Sequence, residues 1–411
     1  MKKSFRFQQW KMLLVTMFCY LFFYTGRHNF GWASTAMAKD LHIPYTTIGW
    51  ISFAMLVGYA IGQLVNGNLA DRFSARIMVS TGAYLSILTN FAISYAHTAQ
   101  VIMILWGLNG YFQSMAWAPG GKLINNWWKG EENGKAFGFY TMAAGLSSAA
   151  TYLISIVLTQ QGLSWQWLFR VPVLFLLISA TVFLIVARDH PKDIGYQNTG
   201  NDVMEAEKET WQSRYRQVFK NKDFLLISLS FGFESMARYG LIFWVPVHYL
   251  GNNWKNSPNS IWVTFLLPVG MAVGALCFGT LSQRLFNNNR VKPIVSGMLV
   301  SAIIAIVVYF SPPGNMILAS ALMFAAGFFV YGPQACFWPL SPELLGNKLT
   351  GTGIGFMNMC GYVFAALGEP LLGFVIDHTH HTDSIFLVIC GICILSVIVI
   401  SFIKPTQKPD Y

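Results

Sequence analysis

The stretch GYAIGQLVNGNLADRF, residues 58–73, decides the fold because its pattern returns as GMAVGALCFGTLSQRL, residues 270–285. Five positions match in one ungapped window at a constant separation of 212 residues (58 to 270): Gly58, Gly62, Gly67, Leu69 and Arg72 recur as Gly270, Gly274, Gly279, Leu281 and Arg284. Composition alone does not explain such a match, even in a chain with 36 glycines. The pattern indicates a chain built from two related halves.

Composition places both halves in a membrane. The 411 residues are 54% hydrophobic and only 11% charged, which is typical of a polytopic helical membrane protein. Twelve apolar runs are long enough to cross a bilayer, at about residues 11–38, 45–70, 76–96, 101–124, 135–160, 165–187, 223–250, 260–283, 292–311, 315–340, 351–376 and 383–403. The sequence therefore predicts an all-α protein with twelve transmembrane helices in two pseudo-symmetric six-helix bundles.

One polar segment separates the two sets of runs. The prediction is an N-terminal bundle over residues 1–190, a cytoplasmic linker over 191–222 and a C-terminal bundle over 223–411. The second half of the linker has the pattern of a short amphipathic helix at the membrane surface.

The distribution of positive charges predicts the orientation of the chain in the membrane. The net charge is +10. Of the Lys and Arg residues, only Lys39 and Lys255 are assigned to the outer side, and Arg27, Arg170 and Arg238 are assigned to positions within the membrane. Removing these five from the 27 Lys and Arg residues leaves 22 on the cytoplasmic side, which is the positive-inside rule. We expect a monomer in the cell (inner) membrane, surrounded by lipid, with both termini cytoplasmic and no nucleic-acid partner.

Several chemistries are not expected. The six cysteines all lie in apolar runs, so no disulfides are predicted. The tract HTHHTD at residues 378–383 lies in a short outer loop without a second ligand cluster, so no metal site is predicted. No nucleotide-binding loop follows a strand, and no soluble domain is large enough to hydrolyse ATP. We expect neither a cofactor nor an enzymatic activity.

Arg27 is the residue whose position most needs an explanation. It lies in FFYTGRHNFGW, residues 22–32, and is 16 residues beyond Lys11, or roughly 24 Å along a helix that crosses about 30 Å of hydrocarbon. An arginine at that depth costs about 2.5–3.5 kcal/mol and should face protein or a water-filled cavity. Arg238, in FESMARYGLIFWVP, is its counterpart in the second half. A structural ion pair is the alternative role, and the neighbouring His28 is expected to pack between helices.

The segment GNLADRFSAR, residues 67–76, resembles the signature loop between helices two and three of the major facilitator superfamily, and GTLSQR repeats it in weaker form. The resemblance implies the major facilitator fold and a cytoplasmic charge cluster that forms in one conformation and breaks in another. Simple topology anchoring is the alternative. The residues of this predicted gate are Asp71, Arg72, Arg76 and Arg284.

Four further segments resemble the organophosphate and phosphate antiporter family: GLNGYFQSMAWAPGGKLINNWW at 107–128, RDHPKDIGY at 188–196, RYGLIFWVP from 238 and PELLGNKLTGTGIGFMNMCGY at 342–362. The resemblance implies that Arg27 and Arg238 hold a substrate anion between the two halves. The other residues that it places in the cavity are Tyr20, Tyr24, Trp117 and Tyr362.

Two positions depart from that family pattern. Gln63 stands where members usually have a lysine that assists anion binding, and we keep it as a candidate substrate contact. Ala144 stands where members have a histidine, with Tyr140 and Thr141 in place of a tryptophan and an asparagine. The site thereby loses one positive charge and one titratable group, so a larger or less highly charged anion becomes credible.

Two acidic residues are candidates for proton coupling. Glu234 lies one turn before Arg238, and Glu369 lies 18 residues after Gly351, roughly 27 Å into its span. A carboxyl group in an apolar cavity takes up a proton readily, so either residue could carry one. Glu369, beside Pro370, is the better candidate of the two. For Glu234, an ion pair that holds Arg238 until the substrate arrives is an equal alternative.

The leading interpretation is a secondary transporter of a small anionic substrate, an organophosphate or related organic anion, with inorganic phosphate or the proton as coupling ion. The second is a proton-coupled importer or exporter of a carboxylate-rich anion, such as an organic acid or a polycarboxylate siderophore. The third, a transporter-like sensor of phosphorylated sugars, would need a partner surface that the short cytoplasmic loops do not suggest.

Overall fold

Helices account for every regular element in the part of the chain that the structure describes. The structure is a computed structural model, and it describes residues 4–128, 130–196, 211–251, 254, 259–286, 289–346 and 349–403. The chain divides into two compact units, Met1–Glu205 and Ala206–Tyr411. This division falls inside the segment 191–222 that we assign to the linker, and the exact boundaries of the bundles stay a prediction.

The described residues of the N-terminal unit form eight α-helices: α1 (Phe5–Phe23), α2 (Asn29–Asp40), α3 (Tyr45–Arg72), α4 (Ala75–Ile93), α5 (Ala99–Gln113), α6 (Trp117–Trp127), α7 (Gly130–Gln160) and α8 (Trp167–Val186). Short 3-10 segments occur at Tyr24–Gly26 and Pro191–Ile194. Buried apolar side chains of α1, α4, α6, α7 and α8 form one continuous cluster, which is the core of this unit.

The C-terminal unit contains the remaining described helices: α9 (Trp211–Lys220), α10 (Lys222–Tyr249), α11 (Leu266–Arg284), α12 (Val291–Phe310), α13 (Met316–Tyr331), α14 (Gln334–Phe337), α15 (Leu340–Leu345), α16 (Thr350–Thr379) and α17 (Ser384–Ser401). A 3-10 segment, Ser260–Phe265, precedes α11. The basic α9 lies where the sequence predicts an amphipathic linker helix.

Within the described residues, eight helical stretches are long and apolar enough to cross a membrane: Tyr45–Asn66, Gly138–Gln160, Trp167–Val186, Ser260–Phe278, Val291–Phe310, Met316–Phe337, Thr352–Thr379 and Ser384–Ser401. The sequence predicts twelve spans, and the described helices are consistent with that number. The difference arises partly because two predicted spans are not continuous. The chain breaks between α1 and α2 and again between α5 and α6, which shortens each uninterrupted helix.

The repeated glycines mark the same kind of helix contact in both units. A Cβ atom built on Gly58 would lie 2.1 Å from the carbonyl oxygen of Gly107, so only glycine lets α3 pack this closely on α5. In the C-terminal unit, a Cβ atom on Gly270 would lie 2.0 Å from the carbonyl oxygen of Phe324, where α11 packs on α13. The repeated glycines therefore mark the same close helix packing in both units.

We expect Gly58→Ala and Gly270→Ala each to destabilise the protein. The new methyl group meets a backbone carbonyl, which cannot rotate away as a side chain could, so the helices must separate at a cost of about 1–3 kcal/mol. Thermal unfolding in detergent measures the effect. Gly391→Ala in α17 is the matched control, because its added Cβ meets nothing within 4 Å. Melting temperatures equal to that of the control would contradict this account of the repeat.

Candidate functional site

The first predicted span is interrupted at the residue of greatest interest. Helix α1 ends at Phe23, one 3-10 turn covers Tyr24–Gly26, and α2 begins at Asn29. Arg27 lies in this break with φ −132° and ψ −51°, outside the helical region. The interpretation of residues 11–38 as one continuous helix is therefore wrong in this detail. An interruption of this kind exposes backbone carbonyls that need new hydrogen-bond donors.

Polar side chains of α4 and α5 supply those donors. The carbonyl oxygen of Gly26 accepts from Asn109 Nδ2 at 2.8 Å and from Asn90 Nδ2 at 3.2 Å. The carbonyl oxygen of Phe23 accepts from Gln113 Nε2 at 2.9 Å. All three side chains are fully buried. Sequence reasoning missed them, although polar amides inside apolar runs were a visible signal.

Aromatic rings surround the Arg27 guanidinium. Arg27 is only 4% exposed, and its guanidinium carbon lies 4.4 Å from the ring centre of Tyr59 on α3 and 5.2 Å from that of Tyr24. A desolvated cation over an aromatic face gains about 2 kcal/mol or more, which offsets part of the cost of burial. These contacts therefore stabilise the charged Arg27 side chain in the interior of the N-terminal unit. Tyr59 is a further residue that the sequence did not single out.

Three of the predicted cavity residues form one aromatic cluster beside this break. Tyr20 lies with its ring centre 5.6 Å from those of both Tyr24 and Trp117, and its hydroxyl donates to the Tyr24 hydroxyl at 3.5 Å. Tyr140 on α7 stacks on Trp117 at 5.0 Å and donates to the carbonyl oxygen of Ala116 at 3.1 Å. The cluster brings phenol and indole groups together around Tyr24, whose ring contacts Arg27.

His28 and Gln63 are two further candidates close in sequence to these residues. His28 Nδ1 lies 3.1 Å from Ser148 Oγ of α7, so this histidine packs between helices as the sequence predicts. Gln63 lies one turn beyond Tyr59 on α3 and is partly buried. Its Nε2 atom is buried and has no hydrogen-bond partner among the described residues. An amide donor in that condition is suited to binding a ligand oxygen.

The counterpart arginine in the C-terminal unit has a different neighbourhood. The Arg238 side chain is 13% exposed, and its Nε atom lies 3.9 Å from Oε1 of Glu234, which is fully buried. Its Nη1 donates to Gln334 Oε1 at 3.4 Å. The ring centres of Tyr239 and Tyr331 lie 4.6 and 5.3 Å from its guanidinium carbon. The ion pair that we considered for Glu234 is therefore present, with Gln334 and two tyrosines that sequence reasoning missed.

The other two candidates of this unit lie on α16. The hydroxyl of Tyr239 donates to that of Tyr362 at 3.3 Å, which places Tyr362 next to a residue that contacts Arg238. Glu369 is 1% exposed, and its Oε2 accepts from the indole Nε1 of Trp244 on α10 at 3.0 Å. Glu369 thus links α16 to α10 through a buried hydrogen bond.

The predicted gate residues are only partly described. The side chains of Asp71 and Arg72 lie outside the described residues, and Arg284 is exposed at the end of α11. The backbone N–H of Arg76 donates to Asp189 Oδ1 at 2.9 Å, and Ser74 Oγ also donates to that carboxylate. The gate itself stays a prediction.

The start of α4 is thereby held within its own unit. Asp189 belongs to the segment RDHPKDIGY, whose backbone also receives two hydrogen bonds from the end of α6. Asn126 Nδ2 donates to the carbonyl oxygen of Asp189 at 3.0 Å, and Trp127 Nε1 donates to that of Arg188 at 2.8 Å. These hydrogen bonds hold the segment after α8 against the start of α4 and the end of α6.

Three features describe a polytopic transporter fold: duplicated glycine-mediated helix packing, helices long enough to span a bilayer, and the largely buried arginines Arg27 and Arg238. The family model of the Major Facilitator Superfamily matches residues 16–369, so this chain belongs to that superfamily. It is a multi-pass membrane protein.

Two relatives have names that state what they transport. The chain is 24% identical to the glycerol-3-phosphate transporter of Bacillus subtilis (strain 168), over 95% of this chain and 90% of that protein. It is also 24% identical to a probable hexose phosphate transport protein of Chlamydia muridarum (strain MoPn / Nigg), over 96% of this chain and 91% of the relative. These relatives confirm the resemblance to organophosphate and phosphate antiporters.

Solved structures agree on the fold. A bacterial homologue of the human lysosomal transporter Spinster superimposes with a TM-score of 0.78 at 14% identity, over 96% of this chain and 95% of that one. At this identity the likeness concerns the fold alone, and it confirms the major facilitator architecture.

We expect Gln113→Met to destabilise the N-terminal unit by about 1–3 kcal/mol, because the carbonyl oxygen of Phe23 loses its buried donor. The thioether has a similar volume, so the loss is one of hydrogen bonding. The free energy of unfolding in detergent is the measurement. Gln161→Met is the matched control, since Gln161 is exposed beyond the end of α7. An unchanged stability of Gln113→Met would mean that the break does not need this donor.

Proposed function

We propose that this protein is a secondary active transporter that carries an organophosphate or a related small organic anion by alternating access. The observation that carries the proposal is a buried arginine at a corresponding position in each of two repeated units. Arg27 lies in a broken helix among tyrosine rings, and Arg238 lies in α10 beside two more. Charges at such positions are retained in membrane proteins mainly for function.

We propose further that the two guanidinium groups act on one anion. Each is a planar fork of donors that matches the oxygen atoms of phosphate or carboxylate bidentately. A shared dianion would compensate the desolvation of both cations at once. The proposed contacts around the anion are the phenol, indole and amide groups of Tyr20, Tyr24, Trp117, Tyr362 and Gln63.

The relatives support a phosphate ester as the substrate. The relatives are named as transporters of glycerol 3-phosphate, hexose phosphate and phosphoglycerate, and they match the chain over nearly its whole length. The substrate would be exchanged for inorganic phosphate or accompanied by protons, and Glu234 and Glu369 are the candidate proton carriers. The protein would work as a monomer in the inner membrane with both termini in the cytoplasm.

Transport requires that the anion bind the occluded state better than the open ones, because equal affinity shifts no equilibrium. An anion that attracts both arginines supplies this difference. We propose that Asp71, Arg72, Arg76 and Arg284 form the cytoplasmic charge cluster that opens and closes during the cycle. The start of α4 is hydrogen-bonded to Asp189 of its own unit, which suits a gate that moves with the whole bundle.

A second candidate substrate class follows from Gln63 and Ala144. Gln63 offers a neutral amide donor where relatives of this type usually have a cation, and Ala144 belongs to the apolar core of the N-terminal unit. These residues favour an anion of lower charge density, such as a carboxylate-rich organic acid or a polycarboxylate siderophore. Proton coupling in either direction would accompany it.

The test uses proteoliposomes that contain the full-length protein and are loaded with inorganic phosphate. We expect external glycerol phosphate to stimulate phosphate efflux, and Arg27→Lys or Arg238→Lys to reduce it about 10- to 100-fold through loss of bidentate binding. Arg170→Lys is the matched control. Arg170 also lies in a span, but its Nε donates to Ser94 Oγ at 2.9 Å and its guanidinium carbon lies 4.5 Å from the Tyr95 ring centre.

Three other outcomes would redirect the proposal. Equal loss in all three arginine variants would mean that Arg27 and Arg238 have structural roles. Uptake of a tricarboxylate such as citrate that follows an imposed proton gradient and needs no internal phosphate would select the second substrate class. Tight binding of a hexose phosphate without any transport would indicate a sensor.

A further inference from the structure

Arg238 shares its buried position with a carboxylate that holds it only loosely. Glu234 is fully buried, and its Oε1 lies 3.9 Å from Arg238 Nε, within ion-pair range but beyond hydrogen-bond distance. Neither of these two atoms has a hydrogen-bond partner among the described residues. Glu234 Oε2 accepts a single hydrogen bond, from Ser235 Oγ at 3.1 Å. A buried ion pair normally compensates its desolvation through several direct hydrogen bonds, and this pair does not.

The surroundings leave Arg238 as the principal charge that Glu234 meets. Among the described residues, the titratable groups that face Glu234 are Arg238 on α10 and Cys393 on α17. Helices α13 and α16 present Tyr331 and Tyr362 to Arg238, and α14 presents the neutral Gln334. The charge state of Glu234 therefore decides whether the pocket is neutral or carries one positive charge.

The arrangement creates a competition for Arg238. With Glu234 ionised, an incoming anion meets a guanidinium that is already neutralised and a negative charge close beside it. With Glu234 protonated, the anion meets an uncompensated guanidinium in a medium where Coulomb interactions are strong. The two negatively charged partners of Arg238 exclude each other, so anion binding and protonation of the carboxylate favour one another.

On the basis of the proposed function, we propose that Glu234 takes up one proton from solution when the substrate anion replaces it as the partner of Arg238. The carboxylate becomes a neutral carboxylic acid, and no other bond is made or broken. Each anion then occupies the site together with one proton. Glu369, whose carboxylate is already hydrogen-bonded to Trp244, is assigned a structural role in this scheme.

The experiment measures proton uptake by the detergent-purified full-length protein on addition of glycerol phosphate at pH 8. At that pH the ester is already a dianion, because its second ionisation lies near pH 6, so any proton taken up goes to the protein. We expect about one proton per bound anion, and an apparent Kd that rises about tenfold per pH unit above neutrality. Calorimetry in two buffers of different ionisation enthalpy gives both numbers.

Variants assign the proton to a residue. Glu234→Gln should bind the anion without proton uptake and with an affinity independent of pH between 7 and 9. Glu343→Gln is the matched control and should behave as the unmodified protein, because Glu343 is exposed on α15 and pairs with Arg290 at 3.4 Å. Loss of uptake in Glu369→Gln, with uptake retained in Glu234→Gln, would overturn the proposal in favour of Glu369.

The outcomes separate this inference from the proposed function. Binding of glycerol phosphate by the unmodified protein without proton uptake would refute the role of Glu234 and leave the anion transporter intact. No binding of glycerol phosphate, inorganic phosphate or citrate would refute the anion site and this inference with it. Because the first result needs no variant, the test does not depend on whether Glu234→Gln folds.

Discussion

Burying a guanidinium within the hydrocarbon region is costly, and the N-terminal unit is arranged to accommodate that cost at Arg27. The helix breaks around this residue, and the break exposes the carbonyl oxygens of Phe23 and Gly26. Amides from two other helices, among them Asn109 and Gln113, satisfy those carbonyls. A cluster of polar side chains inside an otherwise apolar bundle is thus a consequence of one charge and of the backbone conformation that presents it.

The duplicated units solve the same electrostatic problem in different ways. Both pack their helices through glycines whose missing Cβ atom leaves room for a carbonyl oxygen of the neighbouring helix, as at Gly58 and Gly270. Arg27 lies in an interrupted helix with aromatic neighbours, whereas Arg238 lies in a continuous helix with a carboxylate and an amide close to it. The two units are therefore alike in how their helices pack and different in what surrounds the arginine.

The sequence predicted those features that depend on a single residue or on a repeated pattern along the chain. Counting along the first apolar run predicted that Arg27 faces protein or a cavity, and it is buried. The internal repeat identified Arg238 as its counterpart, and the repeated glycines indicated two related halves. The break at residues 24–28 could not be predicted in this way, since it depends on donors that lie about 60 to 90 residues away in the chain. Tyr59 and Gln334 were missed for the same reason, because tertiary contacts, not local pattern, bring them to the arginines.

The asymmetry bears on how the proposed carrier would cycle. An obligatory exchanger needs an empty site that resists reorientation, and an uncompensated guanidinium provides that resistance through the cost of its desolvation. At Arg238 an ionised Glu234 lowers that cost, because its carboxylate offsets the charge of the guanidinium. Gln63 and Ala144 add no positive charge or titratable group at the two positions where the family pattern expects a lysine and a histidine. A carrier built in this way can return empty more easily than a strict exchanger, which favours net transport of an anion together with a proton.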